Sequence, residues 1–314
     1  MTENGSQTAK FVGVEVSRKA FVAVCLDADG AVRDAFRTTP TYRRQDGQEA
    51  IAELINFINQ TKTRFGEFQA LGIAVPGLLH RKTGRVAFST SIPEHEQIDF
   101  SAEIERATGL AVTLENDANA AAYGEFSAGA GRGTRDLFYV TLGTGIGGAF
   151  VLNGEIWRGA SGFAGEFGYT AINSEGMRLE DVASAAGIVR RTRSRFHQDS
   201  TSSLSSLDAR KITLTDVVLA ARKQDDFARM MLERTGTYVG AAIAGVINLL
   251  DVGRVVVGGE IMQAERLVLD AIIKRARELS FAPSFEGTEI LAGELGDAAA
   301  ATGVALLSAR AREL

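Results

Sequence analysis

The acidic and amide cluster Glu115-Asn116-Asp117 offers the most direct chemistry in the sequence. It stands where a short apolar run ends and an alanine-rich segment begins, a pattern that predicts a strand-to-helix junction. A carboxylate at such a junction can face a cleft and act as a general base toward a hydroxyl that attacks phosphorus. Asn and Asp are also preferred helix N-caps, and an acid favours the first helical turn. Spacing alone favours capping, and the chemical interpretation stays open.

A glycine-rich segment, Gly143-Thr144-Gly145-Ile146-Gly147-Gly148, follows an apolar run and fits the spacing G-x-G-x-x-G. A dinucleotide site requires a helix directly after the glycines, so that its N-terminus faces the pyrophosphate. Here Ala149–Leu152 is strand-like and leads into Asn153-Gly154, a strong hairpin signal. The context therefore disfavours a dehydrogenase. A glycine turn between two strands can still present backbone N–H groups and the Thr144 hydroxyl to phosphate, or it can be a turn without a ligand.

The composition limits the classes of function. The chain has 314 residues, of which 45% are hydrophobic and 23% charged, which is typical of a soluble globular protein with enough apolar material for two cores. The net charge of −5 argues against a nucleic-acid partner, although phosphates of a nucleotide can still be held by backbone N–H groups and Mg²⁺.

Cys25 is the only cysteine, so an intrachain disulfide and a zinc site of several cysteines are excluded. It lies in the apolar run Phe21–Leu26, and we expect it to be a small core residue. The polar segment Met1–Lys10 lacks the apolar region of a secretory signal, and no apolar stretch reaches membrane-spanning length. We therefore expect a cytoplasmic protein with no membrane partner.

Apolar periodicity predicts two similar α/β halves, each opening with a strand meander, one from Phe11 and one from Leu137. The predicted strands are Phe11–Val16, Ala20–Leu26, Ala31–Phe36, Ala70–Val75, Ala111–Leu114, Leu137–Leu142, Ala149–Leu152, Arg254–Val257 and Glu289–Ala292. The predicted helices include the Ile51–Ile58 face, Ala102–Thr108, a helix capped by Asn116 or Asp117 and ending at Ala128, Leu179–Arg193, Leu214–Arg222, Asp225–Leu249, Met262–Leu279 and Ala298–Arg312. The Ser- and Thr-rich segment Gln198–Lys211 predicts a mobile loop. A duplicated α/β core places a ligand cleft between its halves.

Several motifs, taken in order, resemble the ROK family of sugar kinases and sugar-responsive repressors. They are Gly72–Gly77, Glu115–Ala120, Thr141–Gly148, Ala164–Gly168, Leu179-Glu180 with Ala183-Ser184, and Val257–Gly259. Each motif is weak alone, but their order and separations fit from about Phe11 to the last helix. The resemblance implies an α/β protein with an actin-like ATPase (ribonuclease H-like) fold, two α/β domains with a cleft between them. It implies a flexible N-terminus over 1–10, a smaller N-terminal domain over 11–118 plus 297–314, and a larger C-terminal domain over 119–296.

The same resemblance implies a glucokinase-like activity, the ATP-dependent phosphorylation of a hydroxyl of a hexose or N-acylated hexosamine. Asp117 matches the family's general base. The positions that match sugar-binding residues are Pro76, Gly77, Asn116, Glu166, Tyr169 and Glu180. The positions that match the nucleotide site are Glu15, Lys19, Gly143, Thr144, Gly145, Gly258 and Gly259. Mg-ATP is the implied cofactor, with Glu15 as a candidate Mg²⁺ ligand, and the family resemblance suggests a homodimer.

One departure from the family bears on catalysis. The family's kinase fingerprint Asp-x-Gly-Gly-Thr is matched here by Glu15-Val16-Ser17-Arg18-Lys19. Cβ atoms at Ser17 and Arg18 are expected to crowd a phosphate that bare glycine backbone would approach. Arg18 and Lys19 either contact phosphate through their side chains or lie at the surface. Similar erosion is a feature of the family's repressor branch.

A second departure concerns zinc. The histidine expected after Glu-x-Gly is Tyr169, and Thr170–Arg178 stands where the family has a cysteine-rich loop. We therefore expect no structural zinc, while Tyr169 can keep one contact to a sugar hydroxyl. About ten polar residues precede the first strand, too few for the helix-turn-helix of the repressors, so DNA binding is not expected. The sequence favours a sugar kinase, and the alternative is a catalytically impaired sugar-binding or sensor protein derived from one.

Overall fold

The computed structural model describes residues 10–27, 29–41, 47–80, 83, 85–89, 96 and 98–313, so the predicted flexible N-terminus lies outside it up to residue 9. The strands are β1 (Phe11–Val16), β2 (Phe21–Leu26), β3 (Val32–Thr38), β4 (Ala70–Val75), β5 (Leu78–His80), β6 (Arg85–Phe88), β7 (Val112–Asn116), β8 (Leu137–Leu142), β9 (Ile146–Leu152), β10 (Glu155–Trp157), β11 (Arg254–Gly258) and β12 (Glu289–Ala292). The helices are α1 (Gly47–Phe65), α2 (Phe100–Thr108), α3 (Asp117–Ala128), α4 (Leu179–Ala183), α5 (Ala185–Arg195), α6 (Leu214–Arg222), α7 (Asp226–Leu250), α8 (Arg266–Leu279), α9 (Ala282–Glu286) and α10 (Ala299–Glu313).

Two five-stranded sheets repeat one plan, with the orders β3-β2-β1-β4-β7 and β10-β9-β8-β11-β12. In the first, β1 pairs antiparallel with β2 and parallel with β4, which pairs parallel with β7. In the second, β8 pairs antiparallel with β9 and parallel with β11, which pairs parallel with β12. Each meander therefore leads into parallel strands, as the two predicted halves require. The antiparallel β8–β9 hairpin also excludes the dinucleotide-binding interpretation, because no helix follows the glycines.

The first sheet is covered on both faces. Side chains of α1 and α2, among them Leu54, Phe57 and Ile104, pack against one face with β1, β2 and β4. The opposite face meets α10, which approaches closely because glycines leave no side chain in the way. A Cβ on Gly13 of β1 would lie 1.9 Å from the carbonyl oxygen of Ala301. Cys25 is buried in the core of this sheet, as predicted.

The chain forms two compact units. Unit 1 comprises the described residues up to Arg132, Ile156–Ala164, and the described residues from Leu295 onward; unit 2 comprises Gly133–Glu155 and Gly165–Glu294. The predicted division instead fell after residue 118. The helix α3 belongs with unit 1 because it packs backbone to backbone on α10, where a Cβ on Gly303 would lie 1.7 Å from the carbonyl oxygen of Ala120. The core of unit 2 is formed by β8, β11 and helices α4 to α8.

The predicted helix Leu179–Arg193 is interrupted in the structure. Ser184 has an extended backbone with ψ of 166°, and its hydroxyl accepts a hydrogen bond from Gly187 N at 3.1 Å, so it caps a new helix. The N–H of Ala185 then donates to the carbonyl oxygen of Gly143 at 2.8 Å. The break thereby places the start of α5 against the glycine turn.

Two further predictions differ from the structure. The predicted helix over Met262–Leu279 begins only at Arg266, because residues 260–264 form a 3₁₀ turn that follows Gly259 with its φ of 93°. The predicted mobile loop Gln198–Lys211 instead contains 3₁₀ turns and buries Leu204. The cause is Asp225, whose carboxylate accepts hydrogen bonds from the hydroxyl of Ser202 and the N–H of Ser203. Among the described residues, no helix is both long and apolar enough to cross a membrane.

Candidate active site

Parallel pairing in unit 1 brings the ends of β4 and β7 together. Val75 is paired with Asn116 across these strands, so the residues that follow each strand are neighbours. The side chain of Asn116 accepts a hydrogen bond from Asn119 N at 3.0 Å and therefore caps α3, so Asn116 rather than Asp117 is the cap of the two predicted alternatives. Its amide nitrogen donates to the carbonyl oxygen of Gly77 at 3.0 Å. The buried Pro76 and half-buried Gly77 thus lie beside Asn116.

Asp117 is the first residue of α3 and is half-buried. Its Oδ1 accepts hydrogen bonds from Ala118 N at 2.9 Å and from the amide of Asn116 at 3.0 Å. The N-terminus of a helix favours a negative charge at this position. Asn116 therefore caps the helix, while Asp117 presents a carboxylate that is held by two hydrogen bonds.

Glu15, at the end of β1, lies in an acidic environment within unit 1. The pKa of Glu15 is raised to about 8, chiefly by the loss of solvent around the carboxyl and also by the charges of Asp117 and Asp297, while the charge of Arg37 opposes the rise. Arg37 also forms an ion pair with Asp297 at 2.7 Å. Asp297 was not identified from the sequence, since it lies far from Glu15 along the chain and only its place just before α10 could have indicated it.

These carboxyl groups bear on the implied Mg²⁺. Oxygen donors suit Mg²⁺, which is commonly held by one or two carboxylates together with substrate phosphates rather than by a cage of protein ligands. Among the described residues no group of His, Cys, Asp and Glu side chains forms such a cage. The acidic neighbourhood of Glu15 fits a Mg²⁺ ion held by one or two carboxylates together with phosphates, because a bound cation would offset the repulsion that raises the pKa of Glu15.

The β1–β2 turn contains the positions that depart from the family's glycines. The hydroxyl of Ser17 donates to the carbonyl oxygen of Ala20 at 2.8 Å and accepts from Ala20 N at 3.1 Å. The backbone N–H of Ser17 also donates to the Ala20 carbonyl oxygen, at 3.0 Å. Ser17 therefore closes the turn, and the predicted nucleotide-binding Lys19 lies exposed at its tip beside Arg18.

Glu115, the residue before Asn116, is 7% exposed. Its Oε1 accepts hydrogen bonds from Asn116 N and from the amide of Asn119, both at 3.0 Å. Its Oε2 accepts from Nε of Arg158 at 3.0 Å and also from Nη2 of Arg158. The carboxylate therefore joins β7, α3 and the segment that contains Arg158, a long-range contact without a local sequence signal.

The glycine turn of unit 2 connects β8 and β9. The N–H of Gly143 donates to the carbonyl oxygen of Gly145 at 2.9 Å. Thr144 is exposed at the turn, with its hydroxyl 3.5 Å from the carboxylate of Glu260. The three predicted phosphate-binding residues therefore form one tight turn.

Glu180 contacts this turn. Its Oε2 accepts a hydrogen bond from Ile146 N at 2.8 Å, and a Cβ on Gly145 would lie 2.8 Å from the same oxygen. Burial raises the pKa of Glu166, and the nearby charge of Glu180 raises it further. Two residues predicted to bind sugar thus lie close enough to interact in unit 2, and one of them also supports the glycine turn.

Tyr169, in the position of the family's histidine, is 47% exposed. The guanidinium of Arg178 lies 4.1 Å from the centre of its ring, in a cation–π contact. Between these residues the chain makes its own short turn, because Met177 N donates to the side chain of Asn173 at 2.9 Å and Ile172 N donates to the Met177 carbonyl oxygen at 2.8 Å. The segment 170–178 is therefore closed by hydrogen bonds of the protein itself.

Gly258 and Gly259 follow β11 and are required by local packing. A Cβ on Gly258 would lie 2.5 Å from the hydroxyl of Tyr139, and a Cβ on Gly259 would lie 2.5 Å from the carbonyl oxygen of Leu142. Gly259 also has a φ of 93°, which favours glycine. Packing accounts for both glycines, and their contact with a nucleotide stays a prediction.

The comparisons with known proteins concern the family and the fold of the chain. The model of the ROK family matches residues 11–311. A glucokinase from Thermotoga maritima is 31% identical over 309 residues, which cover 94% of this chain and 96% of the relative. The structure of a ROK family glucokinase from Streptomyces griseus in complex with glucose and AMPPNP superposes with a TM-score of 0.84 at 27% identity, covering 96% of this chain and 100% of that one.

A regulator is similar to the same degree in structure. The ROK family transcriptional regulator described as a homologue of the E. coli MLC protein has a TM-score of 0.84 at 25% identity, covering 96% of this chain and 78% of that one. The predicted fold class is confirmed, because the two repeated sheets are those of the actin-like ATPase fold that the ROK sugar kinases share. With a family model matching nearly the whole described chain, this protein belongs to the ROK family.

Proposed function

We propose that the protein is an ATP-dependent sugar kinase that phosphorylates a hydroxyl of a hexose or an N-acylated hexosamine. The observation that carries the proposal is the fixed carboxylate of Asp117, held by Ala118 N and by the amide of Asn116 at the start of α3. The similarity to glucokinases over nearly the whole chain supports the reaction class. An oriented base beside an amide that can bind hydroxyls is the arrangement that sugar phosphorylation needs.

In the proposed reaction, Asp117 accepts the proton of the attacking sugar hydroxyl. The sugar oxygen forms a bond to the γ-phosphorus as the bond from that phosphorus to the β,γ-bridging oxygen breaks, and ADP leaves with the electron pair. The proton on Asp117 is then lost to solvent. Mg²⁺ that arrives with ATP would be held near Glu15, where it supplies charge stabilisation for the phosphates.

The residues that match the family's sugar-binding positions would orient the sugar. In unit 1, Asn116 and the peptide of Gly77 are already hydrogen-bonded to each other and would offer further contacts to hydroxyls. In unit 2, Glu166 offers a carboxyl group to sugar hydroxyls, and burial together with the charge of Glu180 raises its pKa above the ordinary value. Glu180 and Tyr169 would complete the contacts of this unit, and Gly143–Gly145 would bind phosphate through backbone N–H groups.

A coupled ADP-release assay tests the proposal. It uses Mg-ATP with glucose, mannose, fructose, N-acetylglucosamine and N-acetylmannosamine. We expect turnover with at least one sugar, and Asp117→Asn should lower kcat by about 10²-fold or more while leaving sugar affinity largely intact. Asp270→Asn is the matched control, because Asp270 is 56% exposed in an ion pair on α8. Turnover that survives Asp117→Asn would contradict the role of this residue as the base.

A second candidate is a sugar sensor that has lost catalysis. The observation that favours it is Ser17, whose side chain closes the β1–β2 turn at a position where the family's kinases have glycine. The structural similarity to a ROK transcriptional regulator is consistent with it. For a sensor, titration calorimetry would detect sugar binding, while the coupled assay would detect no ADP with any sugar of the panel.

A further inference from the structure

A segment of unit 1 carries an arginine that the proposed reaction does not use directly. Residues Ile156–Ala164 cluster with unit 1 although the chain on both sides belongs to unit 2. The segment closes on itself, because Ala164 N donates to the carbonyl oxygen of Arg158 at 3.1 Å. Gly159 and Gly162 have φ values of 70° and 90°, so the loop needs backbone conformations that glycine adopts readily.

Arg158 connects this loop to the candidate base. Its guanidinium is 22% exposed and binds one oxygen of the Glu115 carboxyl through two nitrogens, while the carboxyl itself is 9% exposed. The other oxygen of Glu115 holds Asn116 N and the amide of Asn119. Arg158 thereby fixes the carboxylate that holds the backbone N–H of Asn116, the residue directly before Asp117.

We propose that Arg158 is a positioning residue for phosphoryl transfer, which holds Asn116 and Asp117 in place through the buried carboxylate of Glu115. The inference rests on the proposed kinase function. A buried carboxylate is stable only while it is paired, so loss of Arg158 would let the Glu115 side chain shift within its site or turn toward solvent. Either change weakens the hydrogen bonds to Asn116 N and Asn119, and the Asp117 carboxylate loses its fixed position.

The ion pair Arg254–Glu289 of unit 2 shows why this role differs from ordinary stabilisation. Arg254 is 20% exposed, much like Arg158. Its partner Glu289, however, is 62% exposed and lies on β12, the edge strand of the second sheet. Loss of Arg254 should lower stability without leaving a buried carboxylate beside the candidate base. Arg254→Met is therefore the matched control for Arg158→Met.

Steady-state kinetics test the proposal. We expect Arg158→Met to lower kcat by about tenfold to a hundredfold and to raise the KM for sugar, because a small displacement of a catalytic group has effects of this size. The KM for ATP should change less than about twofold, since the phosphate-binding turn lies in unit 2. Arg158→Lys keeps one charged donor and should recover part of kcat. The double variant Glu115→Gln/Arg158→Met should have a higher kcat than Arg158→Met, because it leaves no buried charge unpaired.

Fluorescence tests, independently of catalysis, whether the ion pair between Arg158 and Glu115 holds the loop Ile156–Ala164 in place. Trp157 is the only tryptophan, is 47% exposed and precedes Arg158. We expect lower Trp157 anisotropy in Arg158→Met and no change in Arg254→Met. If the unaltered protein has no kinase activity, the proposed function fails. The Kd for sugar, measured by calorimetry, then replaces the KM as the readout. This Kd should still be higher in Arg158→Met than in the unaltered protein. Unaltered kinetics or sugar Kd in Arg158→Met, together with unaltered Trp157 anisotropy, would overturn the proposal.

Discussion

Two carboxyl groups of unit 1 differ sharply in their surroundings. Asp117 is held by a backbone N–H and an amide at a helix N-terminus. Glu15 is half-buried, and the loss of solvent together with the charges of Asp117 and Asp297 raises its pKa to about 8. Replacement of the family's Asp by Glu therefore places an acid that keeps its proton near neutral pH beside the candidate base.

The raised pKa of Glu15 has a consequence for stability. Since the pKa in the folded protein, about 8, lies above the ordinary value of 4.5, the stabilising contribution of protonated Glu15 is complete below pH 4.5. It is lost as the pH rises through about 8. We expect the free energy of unfolding of the unaltered protein to fall over this range relative to that of Glu15→Gln, as measured by urea denaturation without Mg²⁺.

The control for this measurement is Glu286→Gln, at an exposed position on α9. The difference between this variant and the unaltered protein should not depend on pH over the same range. A difference between Glu15→Gln and the unaltered protein that stays constant from pH 5 to about 9 would contradict the assigned environment of Glu15.

Residue contacts also show where sequence interpretation stops. Asn116 could be predicted as a cap because capping depends on residues within one helical turn. The partners Arg158 of Glu115 and Asp297 of Glu15 could not, since they lie far away along the chain and meet only after folding. The sequence therefore identified the candidate base but not the groups that set its surroundings.

Among the elements, the β1–β2 turn allows the sharpest test of the phosphate site. Restoring glycine at both positions, in Ser17→Gly/Arg18→Gly, removes the Cβ atoms that are expected to crowd phosphate. We expect the KM for ATP to fall several-fold in the coupled assay. The variant should also lose roughly 1 kcal/mol of stability, because the hydroxyl of Ser17 no longer closes the turn.

Ser17→Ala separates these two effects. It removes the hydroxyl but keeps the Cβ atom, so it should lower stability without changing the KM for ATP. An ATP KM in the double glycine variant equal to that of the unaltered protein would show that this turn does not limit nucleotide binding.

The elements differ in how far the sequence predicted them. The strands β1, β4 and β8 and the helix α6 have the predicted bounds, because each is a continuous apolar or periodic run between clear turn residues. The helix break at Ser184 was missed because Leu179–Arg193 is helical by pattern, and the break depends on the contact of Ala185 with the glycine turn. Tertiary contacts of this kind override local propensity.

At the scale of the whole molecule, ligand-linked stability discriminates between kinase and sensor. A ligand present at about 100 times its Kd stabilises the folded state by about 2.7 kcal/mol. We expect the sugar that is turned over to raise the thermal midpoint, and Mg-ATP to raise it further. Asp117→Asn should keep the response to sugar, because the variant removes the base and not the other sugar contacts.

Magnesium without nucleotide is the control for this experiment. A midpoint that responds to sugar but is unchanged by Mg-ATP at millimolar concentration would favour the sensor and contradict nucleotide binding at Gly143–Gly145. A response to Mg-ATP with no turnover would instead place the defect in the chemical step.

The order of the chain within unit 1 constrains how the protein is made. The helix α10 lies against β1, β4 and α3 so closely that Gly13, Gly72 and Gly303 leave no room for a side chain. Yet α10 follows the whole of unit 2 in the sequence, so the ribosome synthesises it after unit 2. During synthesis one face of the first sheet therefore stays uncovered until all of unit 2 has emerged from the ribosome. We expect a chaperone to bind the nascent chain at this exposed apolar face.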